Sequence, residues 1–364
     1  MTASRLDKLD AWRAICCLGV LWIHCWHLNG SIPISILGIN IAKPLSVLGN
    51  GVDFFFVISG FCMYYFYINK LNTLSFNVYK NFILSRFYRI MPAYLLALII
   101  YLLFFFIKQG IPKFFELLVA NIFLLQNFST YFEVSSHFWS IAVEWHFYII
   151  FPLILYINFY KTNFIAYFIF LTTGIVLIGI YMLMLNKNND LQLPVRFVEF
   201  SSGIIMAYFY KSKNAKVNKF HLKLIFGFIL LLLGRYLNTD SILNFTGNNL
   251  YYAITKIFGY TLLTSGFAIV LFLTIDYRSN VFNFLKWKPL IFVGRISYSF
   301  YLWHGIVLYF VNKFTTQYSD FNNEYFIISF ILQLIASVLI TIPVAYITYY
   351  FIENKIKYKW VNIK

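Results

Sequence analysis

Charged residues are scarce in this sequence: aspartate, glutamate, lysine and arginine together make up 12% of its 364 residues. A water-soluble domain of this length needs more of them to cover its surface, so a soluble globular protein is excluded. Acidic residues are the scarcest, 13 against 29 lysines and arginines, for a net charge of +16. Cysteine is rare as well. Cys16, Cys17, Cys25 and Cys62 all lie in apolar runs, with no CxxC pair and no framework in a polar loop. Neither disulfides nor a metal site are therefore expected, and the four read as small buried apolar residues. Long polar tracts, low-complexity linkers and fixed-period repeats are missing too. Disorder and nucleic-acid binding are set aside, and the basic charge needs another explanation.

What fills the sequence is hydrocarbon. Hydrophobic residues make up 61% and aromatics 22%, including 29 tyrosines and 43 phenylalanines, a composition suited to helices that cross a lipid interface. A span needs about 20 mostly apolar residues. Ten stretches satisfy this: about 11–30, 47–68, 88–107, 138–157, 164–185, 193–210, 221–237, 250–274, 290–311 and 325–352. Pro343 is a candidate kink in the last. Residues 113–127 are too short to cross and predict a re-entrant or interfacial helix. The first run is followed by many more, so it reads as a retained span rather than a cleaved leader. The expected fold is all-α: a polytopic membrane protein of about ten transmembrane helices, one domain over 1–364, with no appended soluble domain.

Loop charge gives that topology a direction. With the amino terminus inside, 21 of the 29 basic residues fall on the cytoplasmic side. The outer half keeps Lys43, Lys108, Lys113, Lys187, Arg196, Arg235, Lys256 and Lys313. The asymmetry follows the positive-inside rule and places both termini in the cytoplasm. Attraction to anionic head groups or to a phosphate-rich ligand is a secondary use of the same charge.

Ionisable groups inside a bilayer are costly, so each is a functional candidate. Arg13 and His24 in the first span lie eleven residues apart, almost three helical turns, hence on one face and about 16 Å apart along the axis. At that depth His24 is either a general base or a structural histidine bonded to a backbone carbonyl. His27, one turn on, is nearer the interface. In the fourth span Ser140 and Glu144 share a face, and Glu144 reaches a depth comparable to His24. A Glu144–His24 pair would fix the imidazole tautomer and stabilise the imidazolium. Asp53, Glu199 and His304 fall in the same outer half, although Glu199 also sits three residues from Arg196 and can neutralise it. Arg86 and Arg89, one turn apart at the cytoplasmic start of the third span, suit bidentate phosphate binding or ordinary anchoring. Arg295 is nine residues from His304, so one regular helix would put them on opposite faces.

Five segments then carry a likeness. LDAWRAICCLGVLWIH, FFFVISGF, RFYR, HFWSIAVEWHFYIIFPL and FVGRISYSFYLWH, in this order and spacing, resemble the membrane acyltransferase 3 family from about residue 5 to the last span. The resemblance implies ten or more helices and transfer of an acyl group, usually acetyl, from cytosolic acyl-CoA. The acceptor would be a hydroxyl of a surface polysaccharide or its lipid-linked precursor. Carried over, the arginine–histidine motif falls on Arg13 and His24, the paired arginines on Arg86 and Arg89, and the serine–glutamate motif on Ser140 and Glu144. Catalysis is thereby expected of His24 and Glu144, and donor binding of Arg13, Arg86 and Arg89. Asp53, Ser140 and His304 are candidates for the acceptor cavity. The sequence departs from the family pattern in EWHFY, where Trp145 and His146 bear on acceptor choice. It departs again in FIENKIK, where a proline is missing and no role passes to Glu353.

The expectation is an O-acetyltransferase of the bacterial plasma membrane. It would use acetyl-CoA as donor substrate with no bound cofactor, and acyl-CoA, a glycan or lipid-linked glycan and the bilayer as partners. Direct transfer and an acyl-histidine intermediate both fit. The alternative is a glycan or glycolipid transporter with the same polar groups lining its path and no need of acyl-CoA.

Overall fold

The structure, a computed structural model, describes residues 3–31, 35–36, 39–40, 46–70, 75–109, 111–159, 163–212, 219–276, 280–318 and 326–356. It is helical as expected. The helices are α1 (Ala3–Leu28), α2 (Gly51–Tyr67), α3 (Phe76–Gln109), α4 (Ile111–Ile122), α5 (Trp139–Phe159) and α6 (Phe164–Leu185). They continue as α7 (Leu193–Lys211), α8 (Phe220–Leu237), α9 (Asn249–Asp276), α10 (Lys288–Arg295), α11 (Ser297–Tyr318) and α12 (Phe326–Thr348). A two-residue antiparallel ladder joins Ser35–Ile36 to Ile39–Asn40. Helix α12 runs through Pro343, and its last turn widens into a π-helix at Tyr349–Asn354. The twelve-residue α4 falls where the interfacial helix was expected and is too short to cross a bilayer.

Among the described residues, eight helices are long and apolar enough to be membrane spans. The other two expected spans are helices as well, but more polar. Helix α7 contains the expected 193–210 and carries Arg196, Glu199 and, at its end, Lys211, yet twelve of its residues are buried. Neighbouring helices shield it, so it need not match lipid. The run 290–311 is a correction: it is not one helix but α10 and α11, separated at Ile296, the residue that caps α10.

The chain packs as two compact units. The first comprises residues 1–52, 87–114 and 279–364, and the second 53–86 and 115–278. In the first, α10 meets α1 at Gly294, where a Cβ would lie 1.7 Å from the Asp10 carbonyl oxygen, a contact that only glycine permits. Asp10 thus opposes Gly294 while His24 opposes His304 further on, so α1 and α11 run parallel. Helix α12 runs back antiparallel: Thr315 contacts Gln333, Trp303 contacts Thr348, and Ser299 contacts Glu353.

In the second unit, α2 and α7 cross at a reciprocal glycine contact. Gly60 lies against the Phe200 carbonyl and Gly203 against the Val57 carbonyl, with Cβ approaches of 2.2 and 2.0 Å. Asp53 and Arg196 are each seven residues earlier on these helices and are bonded to one another, so α2 and α7 are also parallel. Both directions agree with strict alternation of ten spans when α7 and α11 are counted. The four cysteines are free and buried, as small apolar residues would be.

Candidate active site

Expected polar residues gather at a histidine pair in the first unit and at two centres in the second. In the first unit, α1 is apolar around a half-buried His24, whose ring centroid lies 5.4 Å from that of the buried His304 on α11. His304 donates from Nδ1 to the Tyr301 carbonyl at 2.6 Å, since a carbonyl can only accept. In the neutral ring that bond puts the proton on Nδ1 and the lone pair on Nε2. Around His304 the helix is braced from outside. The Tyr101 hydroxyl donates to the Leu302 carbonyl at 3.1 Å and accepts from the Ile306 amide at 2.8 Å, so it binds both ends of one helical rung. A half-buried imidazole beside a second one of fixed tautomer is chemically a base with a proton-accepting neighbour.

Arg13 lies toward the other end of α1. Its Nη1 donates to Asp10 at 2.7 Å. Arg295, which the Gly294 contact brings against α1, reaches Asp7 at 3.0 Å and Asp10 at 3.8 Å. The two arginines therefore share a carboxylate at the helix start. Because the helix is interrupted at Ile296, the facing of Arg295 relative to His304 is not that of one regular helix. It sits with Asp7 and Asp10 instead. His27 is exposed, with Nδ1 2.8 Å from the Ser31 hydroxyl.

The second centre holds Glu144. Its Oε1 accepts from the Ser59 hydroxyl at 2.9 Å and from the Tyr148 hydroxyl, and Ser59 and Tyr148 lie 2.9 Å apart. Arg86 is buried nearby. Its guanidinium donates to the Tyr67 hydroxyl and lies 4.9 Å from the Tyr67 ring centre and 5.7 Å from that of Tyr148. Its Nη1 has no hydrogen-bond partner among the described residues. An arginine cation with no ion pair to a carboxylate among the described residues, held against aromatic faces, is suited to an anionic ligand. Arg89 is exposed, so the pair does not form one inward fork. Ser140 is buried and donates to the His137 carbonyl at 3.2 Å.

The third centre is ionic. Arg196 on α7 donates from Nη1 to Asp53 at 2.9 Å and to Glu199 at 3.1 Å, and from Nη2 to Asp190 at 3.0 Å. Its Nε donates to the Asp190 backbone carbonyl at 2.7 Å. Lys256 reaches Asp190 at 3.5 Å, the Tyr260 hydroxyl donates to the same carboxylate at 2.9 Å, and the Trp139 and Tyr260 rings lie 4.8 and 4.2 Å from the guanidinium carbon. Spacing had joined Glu199 to Arg196; the cluster adds Asp53, expected in an acceptor cavity, together with Asp190 and Lys256. Those two carried no sequence signal, because one lies in a loop and the other was counted simply as an outer charge. Tyr148, four residues after Glu144, had a legible spacing but was one tyrosine among 29.

Comparison with known proteins bears on the whole chain. A protein named "Putative O-acetyltransferase SACOL0978" from Staphylococcus aureus (strain COL) is 27% identical over 346 residues, covering 85% of this chain and 52% of its own. The O-acetyltransferase OatA of Staphylococcus aureus (strain NCTC 8325 / PS 47) is 26% identical over 383 residues, covering 97% of this chain and 57% of its own. The chain thus spans about half the length of the curated relatives it matches. No solved structure matches it. A family model described as "Acyltransferase domain" matches residues 6–350, nearly the entire sequence, and this multi-pass membrane chain belongs to that acyltransferase family, the membrane acyltransferase 3 family.

Proposed function

We propose that this chain transfers an acetyl or other short acyl group from cytosolic acyl-CoA to a hydroxyl of a cell-surface polysaccharide or its lipid-linked precursor, in the bacterial plasma membrane with both termini inside. The observation that carries the reading is the His24–His304 pair: a polar, half-buried imidazole in a membrane helix, beside a second imidazole whose tautomer is fixed. His24 is the base. It takes the proton of the acceptor hydroxyl as the oxygen attacks the thioester carbonyl. The carbon–sulfur bond breaks, the ester bond forms, and the proton passes to the leaving thiolate, giving the free thiol of CoA. In the two-step variant the acyl group first moves to the His24 imidazole and then to the hydroxyl. His304 orients His24 and shares its proton.

Glu144, bonded to Ser59 and Tyr148, is the second catalytic candidate. Arg86, with its spare Nη1, is the leading group for the phosphates of CoA, assisted by Arg13 and Arg89. Asp53, Ser140 and His304 are candidates for the acceptor side. The reading is tested with the full chain in proteoliposomes supplied with acetyl-CoA labelled in the acetyl group and a glycan acceptor. Label is expected to move to the glycan, and His24→Ala, in protein that still inserts, is expected to lower the rate about 10²–10⁴-fold. An unchanged rate removes His24 from the mechanism. Absence of label transfer by the unaltered chain to any glycan overturns the activity.

A further inference from the structure

The loop before α5 and the loop before α7 enclose a cavity of about 220 Å³ within the second unit. Its lining has an unusual chemistry for a membrane protein: asparagine and serine predominate, with one carboxylate, Glu133, and two aromatic rings, Phe128 and Trp139. Three of the amides that build the walls, Gln126, Asn127 and Asn189, spend donors on backbone. Asn127 Nδ2 donates to the Trp139 carbonyl at 2.9 Å and the Leu191 carbonyl at 2.8 Å, and Asn189 Nδ2 donates to the Met182 carbonyl at 2.7 Å. Asn127 is 7% exposed, and its Oδ1 has no hydrogen-bond partner among the described residues. The Glu133 carboxyl stands at the rim, and its partly dry surroundings hold it above the usual carboxylate range.

The walls are held rigidly. Arg196 grips Asp190 through its backbone carbonyl and its carboxylate, next to Asn189 on one wall, and lies over the ring of Trp139 on the other. The buried ionic centre described above is thus the brace of this cavity. On its outer flank Phe128 lies 6.1 Å from the ring of His146, one of the two residues at which this sequence leaves the family pattern.

We infer that this cavity binds a neutral sugar unit of the acceptor glycan. The buried Asn127 Oδ1 and the Glu133 carboxylate are acceptors suited to a ligand that brings hydroxyl or amide donors, while the serine hydroxyls of the lining can serve as either. The aromatic walls fit the apolar C–H faces of a sugar ring. The volume is below the 300–1,000 Å³ range of drug-sized ligands and suits one ring of a longer chain rather than the whole of it. A carboxylate-bearing sugar would meet the Glu133 charge and is disfavoured. The inference rests on the acyl-transfer reading for the word acceptor, while sugar binding itself does not need it.

The test uses the full chain in detergent with neutral oligomers of glucose, N-acetylglucosamine and N-acetylmuramic acid amide, and with polygalacturonate oligomers as the anionic comparison. Binding is followed by ligand-observed NMR. At least one neutral oligomer is expected to bind, and the double substitution Glu133→Ala and Asn188→Ala to weaken it about tenfold, the loss of roughly one hydrogen bond. Both side chains are exposed, so the variant should fold; its unfolding midpoint checks that. In the transfer assay the variant should raise the KM for glycan while leaving the KM for acetyl-CoA unchanged. Binding of no neutral oligomer, undiminished binding by the folded variant, or equal binding of polygalacturonate overturns the inference. If the unaltered chain transfers no acyl group yet loses sugar binding on substitution, the cavity stands and the activity falls. The same oligomer presented free and on a polyprenyl diphosphate distinguishes the sources: tighter binding of the linked form assigns the precursor, and equal binding the free polymer.

Discussion

Removing the Arg196 side chain exposes how the second unit tolerates buried charge. Three carboxylates, Asp53, Asp190 and Glu199, face two cations, Arg196 and Lys256. Arg196→Met keeps most of the volume and deletes four charge-assisted hydrogen bonds. It takes from Asp53 and Glu199 their ion pairs with Arg196 and leaves Asp190 its pair with Lys256. Breaking a buried pair by removing one partner typically costs about 3–5 kcal/mol, because the surviving charge is stranded. The value here should lie at the upper end, since Glu199 is wholly buried and Asp53 nearly so.

The compensated variant separates charge from shape. Arg196→Met combined with Asp53→Asn and Glu199→Gln removes both stranded charges and leaves Asp190 balanced by Lys256. Replacing a whole buried ion cluster by neutral groups is often neutral or stabilising, so most of the loss should return. Both variants would be unfolded by denaturant titration in mixed micelles, with tryptophan fluorescence as the signal and free energies from linear extrapolation. A loss below about 1 kcal/mol for the single variant refutes the reasoning. So does a triple variant no more stable than the single one, because shape rather than charge would then set the energy.

Three further outcomes are expected. Tyr101→Phe withdraws a hydroxyl that binds both the Leu302 carbonyl and the Ile306 amide; it should cost about 1–3 kcal/mol in the same titration and lower kcat for acyl transfer more than it changes either KM, through the altered turn that carries His304. Gly203→Ala drives a methyl group to 2.0 Å from the Val57 carbonyl, so α2 and α7 must separate; a loss of about 1–3 kcal/mol or more is expected, and an unchanged unfolding midpoint would contradict the crossing. Glu133 is the stronger hydrogen-bond acceptor when ionised and its folded-state pKa is raised, so sugar affinity should be full at neutral pH and fall on acidification, with a midpoint above the ordinary carboxylate value; Glu133→Gln should remove that dependence.

The helices were legible because hydrophobic length is local: each run of about 20 apolar residues has nowhere else to go, and α4 was recognisable by being too short. The break between α10 and α11 was not legible, because no proline marks Ile296; the structure sets it just after Gly294 seats on α1. Depth arithmetic ranked His24, Glu144, Asp53, Glu199 and His304 at one level but could not sort them. Which side chains meet is decided by packing between residues distant in sequence: within the first unit it sets His24 beside His304, and within the second it sets Asp53 and Glu199 on Arg196 and Glu144 on Ser59 and Tyr148. The Arg196–Glu199 pair was visible at i,i+3, whereas Asp190 needed the loop's path and Lys256 needed the packing of α9 against α7.

A composition deficit, more than any single motif, points to the chemistry. In a chain that is 61% hydrophobic, the two expected spans that fall short of a lipid-compatible composition are α7 and α11. One carries Arg196 and Glu199, the other His304. A helix can shed apolar residues at membrane depth only where other helices enclose it, and such enclosed positions are where a charge or an imidazole can be kept from lipid and supplied with partners. In the second unit α6 and α8 are largely open while α2 and α9 are largely buried, so the polar face of α7 is covered by helices that are themselves covered. Span polarity and site location therefore have one physical cause. Exchanging apolar residues into α7 or α11 to raise their hydropathy should ease insertion and remove function together.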